Sequence, residues 1–149
     1  MNGMSKRGFT LLEILIVLVI MAILVGVGYA SIKGMTERYR VDAATSQVVT
    51  DLIRVRSYAQ TKNVKASWKK VGSNSYELNL GGARKIYRLP DGVKFTRPPD
   101  GTTVEYTAPY GQVRVNGSSV AALKITLSNG RGEDTEVHVV GVTGKVIRR

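Results

Sequence analysis

The 149 residues carry 22 lysines and arginines against 11 aspartates and glutamates, a formal charge of +11, and no cysteine. That length holds one modest domain and an anchor, and the missing cysteines exclude a disulfide scaffold and a thiolate metal site. A charge this large governs solubility and non-specific attraction to anions such as DNA or lipid headgroups; it does not specify a fold.

The chain opens on a short basic stretch, residues 1–8, with Lys6 and Arg7 directly before a long apolar run. From Ile14 to Ile32 there is no charged residue over 19 positions. A helix of that length spans a bilayer core, and cations on its near flank favour a cytoplasmic N-terminus. Two ordinary readings fit this much. One is a secretory signal peptide, with the small residues of Val25–Ala30 forced into the role of cleavage site; the other is a single-pass anchor. Glu13 fits neither. A carboxylate inside an apolar segment costs about 2.5–3.5 kcal/mol or more, so it usually has a partner and a function. The segment itself offers no cation to pair with it.

The run Lys6-Arg7-Gly8-Phe9-Thr10-Leu11-Leu12-Glu13 resembles the type IV prepilin signature, shared by pilins of type IV pili and pseudopilins of type II secretion systems. The resemblance implies that residues 1–8 are a leader removed by a prepilin peptidase, with cleavage between Gly8 and Phe9 and N-methylation of Phe9. Loss of Lys6 and Arg7 lowers the formal charge by two. Glu13 takes the place of the family's characteristic glutamate, fifth after the cut. Cleavage leaves an ammonium at Phe9 that methylation keeps cationic, and Glu13 of one subunit can pair with that amine of a neighbour inside an apolar filament core. A buried pair of this kind adds register more reliably than stability. The implied partners are the prepilin peptidase, the bacterial inner membrane and other pilins or pseudopilins in a helical filament. The implied location is a single pass through the inner membrane, with the head periplasmic or otherwise extracytoplasmic, and then a pilus or pseudopilus.

Helical signals continue beyond the apolar run. No proline occurs before Pro90. Val41, Ala44, Val48, Leu52, Val55 and Ala59 recur every three or four residues, an amphipathic stripe. Arg38, Arg40, Asp51, Arg54 and Arg56 are expected on the opposite face. The pattern predicts one helix from about Phe9 to about Lys62, roughly 80 Å long at the helical rise. Residues 9–32 form its transmembrane or filament-core part, and 33–62 its amphipathic part, continuing into the head. Gly26, Gly28 and Gly34 each weaken the helix by about 1 kcal/mol.

Residues 63–149 change to short β-like runs between turn signals. The predicted strands are Ala66–Val71, Tyr76–Leu80, Lys85–Leu89, Thr102–Tyr106, Gln112–Val115, Leu123–Leu127, Glu136–Val140 and Lys145–Ile147. Gly81-Gly82, Asp91-Gly92, Asp100-Gly101, Asn116-Gly117, Asn129-Gly130 and Thr143-Gly144 mark the turns. The expected fold class is α+β: a long N-terminal helix, transmembrane in its first half, packed on a C-terminal antiparallel sheet or small β-sandwich head. The exit of the helix at Leu52–Ala59, the segment Leu89–Val93 and the closing hairpin Val137–Val146 are similar to the GspH/FimT type of pseudopilins and minor pilins.

Nothing in the sequence assembles a catalytic constellation, so the chain reads as non-enzymatic, with no cofactor and no metal site. The one histidine, His138, falls in an alternating strand and reads as a half-buried or exposed strand residue. Glu133, Asp134 and Glu136 are dense enough to raise calcium, but they lack the spacing of a recognised calcium loop and read as a solvated turn.

The basic residues suggest a second function. Lys65, Lys69 and Lys70 cluster near Trp68; Arg84, Lys85 and Arg88 follow, with Tyr87 among them; the end of the sequence carries Lys145, Arg148 and Arg149. Cations interleaved with aromatics suit a phosphate backbone with exposed bases. Gly144, Lys145 and Arg148 are similar to the basic C-terminal motif of DNA-capturing minor pilins, with lysine in place of arginine and one residue more in the spacing. The candidate DNA-binding set is Lys65, Lys69, Lys70, Arg84, Lys85, Lys145, Arg148 and Arg149. The other reading is a solvated basic surface, or a face for acidic neighbouring subunits. The expected function is therefore a structural minor pilin or pseudopilin of a type IV pilus or type II secretion filament, with DNA uptake in natural transformation as the alternative.

Overall fold

The computed structural model describes residues 10–141 and 143–148, and the backbone alone at Ala30 and Ser31. Among the described residues there is one helix, α1 (Leu11–Lys62), followed by ten strands. The chain divides into two units, one ending at Thr36 and one beginning at Glu37. In the first, every large apolar side chain from Leu11 to Ile32 is exposed. By length and composition this helix is long and apolar enough to cross a membrane.

In the second unit the expected stripe is the buried face of the helix. Val41, Ala44, Val48, Leu52, Val55 and Ala59 are all buried. Asp51 is a correction: it belongs to the buried side of the helix, and its carboxyl accepts a 2.6 Å hydrogen bond from the Tyr76 hydroxyl. A buried acid needs such a partner, and this one lies far along the chain, on a strand.

The strands form two antiparallel sheets. β1 (Ala66–Gly72), β2 (Ser75–Leu80), β3 (Ala83–Arg88), β5 (Thr103–Thr107), β6 (Gln112–Val115) and β7 (Ser118–Ser119) make a six-stranded sheet in the order β3-β2-β1-β5-β6-β7. β4 (Lys94–Arg97), β8 (Ala122–Ser128), β9 (Asp134–Val140) and β10 (Val146–Arg148) make a four-stranded sheet in the order β10-β9-β8-β4. The inner faces supply Trp68, Tyr76, Leu78, Val104 and Tyr106 from the first sheet and Phe95, Ile125, Leu127, Val137 and Val139 from the second, in one core with the helix stripe. Phe95 meets Trp68 and Tyr76 edge-on, with ring centroids 5.8 and 6.0 Å apart.

All eight predicted strands form, within a residue or two of the expected ends. Two further strands were not expected. β4 holds one buried apolar residue, Phe95, among cations and directly before Pro98, so it shows almost no alternation. β7 is two exposed serines. It follows the turn Asn116-Gly117, where both residues have positive φ, 50° and 82°, as a tight hairpin requires.

Gly141 joins the two sheets. Its N–H donates to the Ala121 carbonyl at 2.9 Å, and its carbonyl accepts from the Val113 N–H at 3.1 Å. A Cβ here would come within 1.5 Å of the Val120 carbonyl oxygen.

Candidate assembly helix and basic surface

Gly8, Phe9 and Arg149 lie outside the described residues. Thr10 caps the helix. Its hydroxyl accepts from the Glu13 N–H at 3.2 Å, and its carbonyl accepts from the same N–H at 3.1 Å. Threonine followed three residues later by glutamate is the pattern of a capping box. Glu13 therefore stands in the first turn of the helix, where the free N–H groups and the helix dipole favour a negative charge. That placement gives Glu13 a local reason to be present beside the filament pairing expected from the sequence.

The basic residues separate into several places. Pairing across β1, β2, β3, β5 and β6 sets Lys69 opposite Glu77 and Thr103, Glu77 opposite Ile86, Asn79 opposite Arg84, and Glu105 opposite Arg114. Side chains alternate across a strand, so Lys69, Arg84 and Arg114 share the outer face of the six-stranded sheet, with Glu77 and Glu105 between them. Lys65, just before β1, is exposed and lies 3.4 Å from Glu105. Arg84 is 4.0 Å from Glu77. Arg114 belongs to this face and was not among the expected residues; the alternation Gln112-Val113-Arg114-Val115 carried the signal.

Lys70 corrects the expected exposed cluster. It is buried on the same side of β1 as Trp68; its ammonium donates to the Pro98 carbonyl at 2.7 Å and lies 3.0 Å from Asp100. Trp68 is fully buried, so it offers no stacking surface to a base. Lys85 is on the opposite side of β3 from Arg84, its ammonium 5.1 Å from the Tyr87 ring centre.

Lys145 is exposed; its carbonyl accepts from Val140 at 2.8 Å. Arg148 faces the helix: its guanidinium pairs with Asp42 and donates to the Ser46 hydroxyl at 3.1 Å. Arg148 thus belongs to the second sheet and Lys145 stands directly before its strand β10, apart from the outer face that holds Lys69 and Arg84.

Of the acidic residues after Asn129, Glu133 and Glu136 are engaged in ion pairs and Asp134 is exposed. Arg38 donates to Glu133 at 2.5 Å, and Arg131 donates to Glu37 at 2.7 Å, two crossed pairs between the helix and the β8–β9 loop. Glu136 pairs with Lys124 and lies 3.2 Å from Nε2 of half-buried His138. The Lys124 ammonium holds the Glu136 carboxyl below the usual carboxylate range, against an opposing effect of desolvation and with a further lowering from His138.

No curated protein and no solved structure matches the chain. A family model described as the prokaryotic N-terminal methylation motif matches residues 3–29. The motif implies processing by prepilin peptidase and assembly with other pilins, and with one N-terminal apolar helix it fits anchoring in the inner membrane. Together, the methylation motif and the α+β architecture support a type IV pilin-like protein.

Proposed function

We propose that the chain is a structural, non-enzymatic subunit of a type IV filament system, a minor pilin or pseudopilin of the GspH/FimT type. One observation carries this reading. The methylation motif over residues 3–29 overlaps the start of α1, whose large apolar side chains are exposed from Leu11 to Ile32, while its later stripe is buried in the head. Exposed apolar surface on that scale needs lipid or other helices around it. In this reading the helix stores the subunit in the inner membrane, cleavage after Gly8 frees Phe9, and Glu13 pairs with the Phe9 amine of a neighbour.

The test is incorporation. Glu13→Ala and Glu13→Gln are compared with the parent chain in filaments sheared from cells, with head folding followed by circular dichroism and protease resistance. Both variants are expected to fold their heads and to fall to a small fraction of the parent level in filaments. Normal incorporation overturns the role of Glu13.

DNA capture is the second reading. Lys65, Lys69, Arg84 and Arg114 support it by their place at one sheet face. Glu77 and Glu105 between them, and the burial of Lys70 and Trp68, weaken it. Binding that falls steeply as salt rises, and falls further in Lys69→Ala/Arg84→Ala/Arg114→Ala, is its expected sign.

A further inference from the structure

β3 is the outermost strand of the six-stranded sheet, and its far side is unpaired among the described residues. Leu80 faces Ala83 across the two-residue turn Gly81-Gly82. A pair flanking such a turn is hydrogen-bonded, and antiparallel pairs alternate between bonded and non-bonded. The Leu89 N–H donates to the Asn74 carbonyl at 2.8 Å, in the same phase. Ala83, Lys85 and Tyr87 therefore direct their backbone groups at β2. Arg84, Ile86 and Arg88 direct theirs at the open edge.

Those same three residues stand on one face. Ile86 is 59% exposed, with Arg84 and Arg88 exposed on either side. Arg84 reaches Glu77 only at 4.0 Å, and Arg88 has no ion-pair partner among the described residues. A second copy laid antiparallel along this strand about Ile86 would set Arg84 against Arg88 at both ends, so the edge repels itself. An acidic strand meets no such barrier.

We propose that β3 is a docking edge for an extended acidic segment of another protein. The segment adds as a further strand, with carboxylates opposite Arg84 and Arg88 and an apolar residue opposite Ile86. Backbone bonds to residues 84, 86 and 88 supply affinity, and the alternating acid–apolar–acid pattern supplies selection. The inference stands apart from the filament reading.

The test uses the full chain in detergent micelles and a fluorescent peptide, Glu-Thr-Val-Thr-Glu, read by anisotropy at low ionic strength. Three comparisons accompany it: the same peptide N-methylated throughout its backbone, the peptide Lys-Thr-Val-Thr-Lys, and the variant Arg84→Glu/Arg88→Glu, checked for folding by circular dichroism. The acidic peptide is expected to bind; the N-methylated and lysine peptides are not. The charge-reversed variant loses about tenfold in affinity for the acidic peptide and gains the lysine peptide. No binding of the acidic peptide, or equal binding of its N-methylated form, overturns the proposal and leaves the cations as guards of an exposed edge. Either failure leaves the filament reading untouched, because incorporation is measured separately.

Discussion

The Tyr76 hydroxyl donates to the Asp51 carboxyl at 2.6 Å, between the helix and the second strand, inside the core of the head. Tyr76 also stacks on Trp68 and on Tyr87, with ring centroids 5.7 and 5.6 Å apart. Burial pushes the Tyr76 phenol up, and the Asp51 hydrogen bond adds to the rise. Removing either partner strands a buried polar group, which costs about 1–3 kcal/mol. Asp51→Ala and Tyr76→Phe are each expected to lower the unfolding free energy of the full chain in micelles by that amount. The double variant is expected to cost less than the two losses added together. Additive losses would mean that the two side chains do not act as a pair.

Gly141 allows no side chain. Gly141→Ala forces a methyl against the Val120 carbonyl and disturbs the bonds to Ala121 and Val113 that hold the sheets together. Overpacking costs about 1–3 kcal/mol and sometimes more, and here backbone must move. The expected result is a head that melts earlier and is cut faster by protease. Gly82→Ala is the comparison without a clash: nothing lies within 4 Å of a Cβ there, so its loss comes from the φ of +103° alone. Equal stability of parent and Gly141→Ala would contradict the close contact.

Lys69 and Lys70 are neighbours with opposite fates. Lys70→Ala removes the donor to the Pro98 carbonyl and the Asp100 contact, and is expected to cost about 1–3 kcal/mol. Lys69→Ala is expected to change stability by less than about 0.5 kcal/mol. In a DNA-binding assay the order reverses: any effect belongs to Lys69. If Lys70→Ala is as stable as the parent, the contacts of the buried ammonium with Pro98 and the exposed Asp100 contribute nothing net.

Glu136 responds to acid through Lys124. Its lowered pKa means that its contribution to stability is present above its unfolded-state pKa and lost as pH falls through the folded one. Lys124→Met removes the largest cause of the lowering, so the Glu136 midpoint in a carboxyl NMR titration is expected to rise. An unchanged midpoint would show that Lys124 does not hold the carboxylate.

Much of the fold was legible because it rests on periodicity. The spacing of Val41, Ala44, Val48, Leu52, Val55 and Ala59 marks a helix face without knowledge of its partner. The turn pairs Gly81-Gly82 and Asn116-Gly117 mark hairpins by their own chemistry. Asp51 was misplaced because its burial depends on Tyr76, a partner that only folding brings near. β4 escaped because Phe95 alone reaches the core, between cations that signal solvent. Lys70 was legible in principle: two-residue alternation from Trp68 puts it on the inner face, and a cluster of lysines hid the alternation. The scatter of the basic residues was not legible. Whether Arg148 and Lys69 share a surface depends on which sheet each strand joins, and composition carries no trace of that.

The most direct measurement is the intact mass of the chain after co-expression with a prepilin peptidase, with sequencing of its N-terminal peptide. The account predicts loss of residues 1–8, a new terminus at Phe9 and one added methyl group, all absent when Gly8→Val blocks the cut. An intact leader in the presence of active peptidase, or cleavage after Ala30 instead, would contradict it.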